Sequence, residues 1–264
     1  MGVATSHFGD PHRLTDVSHH TGARQTDRSG TWQGRVEAVD WKAVSDEVDE
    51  FGCGLIPQML TAADADRISK WYSDDTLFRS TINMARHRFG EGEYRYFDRP
   101  LPQPIEELRH ALYPRLLPIA RDWYLRLGRP AVWPDTLDEW LVLCHAAGQT
   151  RPTPLMLKYG PGDWNALHRD LYGELVFPLQ VVVNLSRPEI DYTGGEFVLV
   201  EQRPRAQSRA TVRVIPHGHG LVFTTRDRPV PSPRGWVAAP VRHGVSSIRS
   251  GQRLALGLLF HDAT

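Results

Sequence analysis

From Leu155 to Phe260 short apolar runs recur at close spacing, and this rhythm constrains the fold more than any other feature of the chain. The runs are Leu155–Tyr159, Leu175–Leu185, Glu196–Val200, Thr211–Ile215, Leu221–Thr225 and Leu254–Phe260. Turn chemistry separates them: Gly160-Pro161-Gly162-Asp163, Gly194-Gly195, Pro216-His217-Gly218 and Ser250-Gly251. Glycine reaches positive φ without a steric cost and proline fixes φ, so each of these stretches can reverse the chain. No helix-length periodic stretch interrupts the series. Many short strands with evenly spaced turns predict a mainly β sandwich or barrel, not a doubly wound sheet, which needs a helix between successive strands.

The preceding half reads differently. Val36 to Phe51 has helical spacing and ends at Gly52 and Gly54. Thr61-Ala-Ala-Asp64 resembles a capping box opening a helix over Ala62–Trp71, and residues 104–127 place Leu108, Leu112, Leu116 and Ala120 on one helical face. Between these helices, Met84 to Gly90 and Glu93 to Phe97 read either as a strand pair or as a loop folding over a cavity. Pro130, Pro134, Pro152 and Pro154 mark the passage into the β half. Residues 1–35 are polar and without apolar period, so a disordered tail is expected there, with His19 and His20 solvated. The expected organisation is that tail followed by one domain over 36–264, helical over 36–150 and β over 151–264.

The formal net charge is zero, which excludes a protein that grips phosphate backbones through bulk positive charge. That average hides an asymmetry: residues 202–264 hold ten Arg, no Lys and two acids, Asp227 and Asp262. One part of the fold is therefore expected to present a positive face to an anionic ligand. Cys53 and Cys144 are the only cysteines and belong to no CxxC pair, which argues against a thiolate zinc site or a disulfide framework. With no secretory signal pattern and no run of 18 apolar residues, a cytoplasmic protein without a membrane partner is expected.

The chemistry starts at Leu167-His168-Arg169-Asp170. On a strand, residues two apart project from one face, so His168 and Asp170 can converge on one ion. His243, in Arg242-His243-Gly244, supplies a third ligand. Two imidazoles and one carboxylate on one side of an ion leave positions open for oxygen and a chelating co-substrate, the facial triad of iron(II) oxygenases. Arg253, ten residues after His243 at the head of the last apolar run, has a guanidinium fork that suits the far carboxylate of 2-oxoglutarate.

Tyr159-Gly-Pro161-Gly162-Asp-Trp-Asn-Ala-Leu167-His168-Arg-Asp170 resembles the entrance to the jelly-roll core shared by AlkB-type nucleic-acid demethylases and prolyl hydroxylases. Longer matches run from about Phe51 to Asp262: Met84–His87, Glu93–Phe97, Cys144–Pro154, Phe177–Gln180, Gly194–Leu199, Glu201–Arg205, Gln207–Arg209 and Arg242–Ser246. Together they resemble a bacterial family of 2-oxoglutarate/iron(II) oxygenases described as acting on damaged DNA by oxidative demethylation. The resemblance implies a double-stranded β-helix (jelly roll) core with supporting N-terminal α-helices. It implies Fe(II), 2-oxoglutarate and O2 as cofactor and co-substrates, with release of succinate and carbon dioxide, and a contact of Tyr159 with 2-oxoglutarate. The Pro-rich stretch Pro229–Pro240 departs from the family's more polar hairpin, so if that hairpin borders the substrate, the substrate would differ.

Two functions are carried forward: oxidation of alkylated nucleic acid, with single-stranded DNA as partner, and hydroxylation of a small molecule or protein side chain. The first draws on the Arg-rich half, the second on the neutral net charge. Arg86, His87, Tyr94 and Tyr96 either line the substrate or dock the N-terminal half onto the barrel. Gln180 falls on an apolar run and must be hydrogen-bonded, with a role near 2-oxoglutarate. Glu201–Arg209 forms either an internal salt-bridge cluster or a groove for phosphates. His217 and His219 are expected in a solvated turn, and Cys144, His145 and His261 in structural packing.

Overall fold

A computed structural model describes residues 30–203 and 206–264; the remainder of the expected tail, including His19 and His20, and positions 204 and 205 lie outside the described residues. The helices are α1 (Trp32–Glu37), α2 (Trp41–Phe51), α3 (Ala62–Ser69), α4 (Met84–His87), α5 (Gln103–Arg126) and α6 (Leu137–Ala146). The strands of the first half are β1 (Cys53–Ile56), β2 (Phe78–Asn83), β3 (Gly90–Glu91) and β4 (Glu93–Phe97). Those of the second are β5 (Leu155–Tyr159), β6 (Trp164–His168), β7 (Leu179–Asn184), β8 (Tyr192–Gly194), β9 (Phe197–Glu201), β10 (Arg209–Arg213), β11 (Gly220–Thr224), β12 (Asp227–Ser232), β13 (Gly235–Val245), β14 (Ile248–Gly251) and β15 (Arg253–Leu258).

Two antiparallel sheets face each other, the jelly-roll arrangement expected from the sequence. The larger has the order β1-β11-β7-β15-β5-β4-β2 and the smaller β10-β9-β13-β6-β3, with β12 pairing β13. The helices cover the outer side of the larger sheet, so its central strands are apolar on both faces. All six residues of β7 are buried. Val181 and Val183 pack with Leu108, Leu112, Leu116 and Trp123 of α5, whereas Val182 packs with Phe197, Leu199 and Phe223 between the sheets. The face of α5 expected to be apolar is buried, and its interior prolines, Pro114 and Pro118, lie on the exposed side.

Two expectations change. Helix α1 begins inside the segment expected to be tail, because Thr31 caps it, Val36 is fully buried, and Trp41 Nε1 donates to the Val36 carbonyl at 2.7 Å. The segment Met84–Phe97 is not a strand pair with itself: β4 pairs with β2, which precedes the segment, Met84–His87 is helix α4, and β3 crosses to the smaller sheet, where Gly90 pairs with Asn165. A Cβ at Gly90 would lie 2.3 Å from the Trp164 carbonyl, and its φ is +122°, so only glycine allows this crossing.

The end of the chain is anchored through Asp262, which is fully buried and meets Arg99 at 2.5 Å and His145 at 2.8 Å. Beside it His261, also buried, accepts the Phe177 backbone N–H at Nδ1. Burial lowers its pKa from 6.5 to about 4. The folded state thus holds the neutral ring while the unfolded chain takes up a proton. Stability from this group is complete above pH 6.5 and is lost progressively as the pH falls toward 4, at most about 3 kcal/mol. Urea unfolding at pH 7 and pH 5 is expected to differ by less in His261→Gln than in the wild type; an equal difference would remove His261 as the cause.

Candidate metal centre

Strand β6 carries His168 at its end, and β13 lies beside it with His243 directly opposite His168. The close approach of the two strands depends on Gly244, where a Cβ would lie 2.5 Å from the Asn165 carbonyl. Asp170 lies two residues beyond the end of β6 rather than on it. What brings it under the histidines is a pair of hydrogen bonds: Tyr172 Oη donates to Oδ1 at 2.9 Å, and Gln180 Nε2 donates to Oδ2 at 2.8 Å. His168 Nε2 is then 3.4 Å from Oδ1 and His243 Nε2 is 3.2 Å from Oδ2.

Ligand atoms of His168, Asp170 and His243 all lie within 4.8 Å of one another, and this is the one such cluster among the described residues. The donor set fits a divalent first-row ion: two imidazole nitrogens and one carboxylate, all from one side. His168 Nδ1 is 2.7 Å from the Ala166 carbonyl, which fixes that nitrogen as the N–H and leaves Nε2 as the free ligand. Phe197 stacks on His243 at 5.9 Å and 13°, and Phe223 packs at 4.7 Å. Burial alone would push the Asp170 carboxyl up, but the charges and hydrogen bonds of His243 and His168 hold it well below the usual carboxylate range. It stays ionised, as a ligand must.

The triad opens into a cavity of about 210 Å³ between the sheets. Its walls are largely apolar, with Leu155, Leu157, Val182, Phe197, Phe223 and Ala255 among them. On the larger sheet, Arg253 sits opposite Tyr159 in register and its guanidinium carbon lies 5.7 Å from the centre of that ring and 6.0 Å from that of Tyr192. Arg253 is 2% exposed and has no hydrogen-bond or ion-pair partner among the described residues; its Nε is buried and unpartnered. A buried, unpaired guanidinium is costly unless an anion joins it. The Tyr159 hydroxyl, its pKa pushed up to about 12 by burial, accepts from Asn165 Nδ2 at 3.2 Å.

The remaining candidates divide. Tyr94 lines the cavity, whereas Tyr96 stands behind it and donates to Tyr172 Oη at 3.0 Å. Arg86 and His87 are exposed on α4, outside the cavity wall. Gln180, expected near the co-substrate, directs its amide at Asp170. Glu201 is buried between Arg203 Nε at 2.6 Å and Arg228 Nε at 2.5 Å as an internal cluster, whereas Arg209 is exposed over the Phe51 ring and Arg205 lies outside the described residues. His217 is not solvated: its side chain is 14% exposed and packs 3.5 Å from Asp66. No residue of the Pro229–Pro240 stretch lines the cavity; its Trp236 instead packs under Arg126 of α5 at 4.7 Å. Tyr172, Asn165 and Phe223 were not anticipated. Tyr172 alone left a signal, its spacing of two from Asp170.

A family described as "Oxygenase, catalysing oxidative methylation of damaged DNA" matches residues 92–263. "Uncharacterized protein Rv2227" of Mycobacterium tuberculosis (strain H37Rv) is 72% identical over 167 residues, 63% of this chain and 72% of that protein. Among solved structures, a Pseudomonas putida prolyl-4-hydroxylase superposes with a TM-score of 0.53 at 15% identity, covering 85% of this chain and all of the other. An oxidoreductase of the 2OG-Fe(II) oxygenase family from Burkholderia pseudomallei superposes with a TM-score of 0.50 at 16% identity, over 85% of this chain and 93% of that one. At these identities the two structures attest a shared jelly-roll fold.

Proposed function

Because the chain belongs to this oxygenase family, within the 2-oxoglutarate/iron(II) oxygenase superfamily, we propose that it holds iron(II) through His168, Asp170 and His243 and oxidises an alkylated nucleic acid. The observation that carries the reading is that the triad and the unpaired, buried Arg253 open into one cavity. Bound iron supplies the redox chemistry, in which O2 is consumed, 2-oxoglutarate is split into succinate and carbon dioxide, and a substrate C–H bond becomes C–OH.

The chain's own residues do the rest. Arg253 receives the far carboxylate of 2-oxoglutarate as a bidentate clamp, beside the Tyr159 hydroxyl. Tyr172 and Gln180 each fix one oxygen of Asp170, so the carboxylate keeps its orientation when the site is filled. The apolar walls around Phe197 and Phe223 keep water from the reacting atoms. Tyr94 borders the space left for the substrate. The free, buried thiols of Cys53 and Cys144 support action in the reducing cytoplasm.

Hydroxylation of an N-methyl group gives an unstable hydroxymethyl product, so formaldehyde is the readout. Iron-loaded protein with N-methylated single-stranded DNA is expected to release formaldehyde only when 2-oxoglutarate is present. No release from methyl-adenine or methyl-cytosine substrates would sink the nucleic-acid reading. Turnover of 2-oxoglutarate stimulated by an amino acid or metabolite, and not by DNA, would put the small-molecule or side-chain hydroxylase in its place.

A further inference from the structure

We propose that the rim of the cavity is a subsite for a single nucleic-acid strand, with a base stacked on Phe89 and phosphates held by Arg86, Arg88 and Arg169; it rests on the nucleic-acid reading above. Phe89 lies between α4 and β3, is 47% exposed and lines the cavity mouth. The His87 ring lies against it at 5.4 Å and 21°. This pair is held in place. The Phe89 N–H donates to the Met84 carbonyl at 3.0 Å, its own carbonyl accepts from the Ala166 N–H at 2.8 Å, and Met84 is fully buried. The aromatic face is therefore tied to the strand that carries His168.

Two cations precede Phe89 closely in sequence, Arg86 and Arg88, and a third, Arg169, lines the same cavity. Arg86, Arg88 and Arg169 are exposed, and none has a side-chain hydrogen bond or ion pair among the described residues. Arg169 lies between two triad residues and lines the cavity. Arg88 adopts φ 60°, a left-handed conformation that glycine would occupy at lower cost. That conformation closes the end of α4, where the Arg88 N–H donates to the Met84 and Ala85 carbonyls, and its guanidinium has no partner among the described residues, which leaves it available to a phosphate. Glu91 is exposed on β3 and pairs with none of the three. An acidic peptide would satisfy these charges but leave the aromatic face unused, whereas a nucleotide strand uses both. A strand rather than a duplex is required, because a base reaches the triad only out of its stack.

Fluorescence anisotropy of labelled oligothymidylate on the full chain tests this without turnover. Phe89→Ala is expected to weaken binding about tenfold or more, Phe89→Trp to restore it, and the duplex to bind less well. Arg88→Gly should fold at least as well as the wild type, judged by its unfolding midpoint, yet lower the slope of log affinity against log salt by about 0.7. Arg115→Ala, a distant exposed arginine on α5, should change nothing. Wild-type binding untouched by Phe89→Ala and Arg88→Gly overturns the rim subsite and leaves the nucleic-acid reading standing. Polyglutamate displacing the probe as well as unlabelled oligothymidylate also overturns it, since charge alone would then be read. Absence of binding to single-stranded and duplex DNA alike overturns both.

Discussion

Asp170→Ala is expected to abolish 2-oxoglutarate decarboxylation and to weaken divalent-metal binding by far more than the 10–100-fold typical of losing a residue behind a ligand. Asp170 supplies the only negative charge in the triad, and its two oxygens stand 3.4 and 3.2 Å from the Nε2 atoms of His168 and His243. Removing it leaves two neutral donors and strands the Tyr172 hydroxyl and the Gln180 amide. Tyr172→Phe provides the graded comparison. It keeps all three ligands and removes one hydrogen bond to Oδ1, so affinity should fall only within about 10–100-fold. Cobalt(II) absorbance titration reads both variants without relying on turnover. Unchanged cobalt affinity in Asp170→Ala would disprove the metal assignment.

That comparison also marks how far the site was legible in the sequence. His168 and Asp170 are two apart, and a strand would have placed both on one face; the strand stops at His168, and Asp170 is positioned by Tyr172 and Gln180 instead. The chemistry was readable because the residue types and their order carried it. The means of assembly were not, because the pairing of His243 with His168 joins strands far apart in sequence. Local patterning likewise found the helical face of α5 and six of the strands, which are apolar wherever both faces are covered. It placed His168 on a strand through the His-x-Asp spacing but did not count β6 among the apolar runs, because its burial is only partial, and it read β12 and β13 only as a Pro-rich hairpin. Proline survives in β12 because that strand pairs on one side only, with β13, and Pro229 and Val230 are buried without needing a second ladder. The alternation of a half-buried strand is a weaker signal than the unbroken apolar run of β7.

Arg253→Met should separate function from stability by moving them in opposite directions. A structural arginine would be held by carbonyls or carboxylates, as Arg228 is by Glu201 and the carbonyls of Asp49 and Glu50. Arg253 has no such partner among the described residues, only the faces of Tyr159 and Tyr192, and is 2% exposed. Its desolvation is therefore poorly offset until an anion arrives, and an apolar side chain of similar volume should leave the free protein as stable or more so. Affinity for 2-oxoglutarate should fall by about 30-fold to several thousand-fold, the equivalent of about 2–5 kcal/mol for a buried charge-assisted contact. Arg253→Lys keeps the charge but not the planar fork, so it should fall between the two. Thermal unfolding with and without 2-oxoglutarate gives both quantities in one experiment, since a ligand at a hundred times its Kd adds about 2.7 kcal/mol to the native state. A destabilised Arg253→Met protein that still gains the full increment from 2-oxoglutarate would make Arg253 a packing residue and return the co-substrate to another part of the cavity.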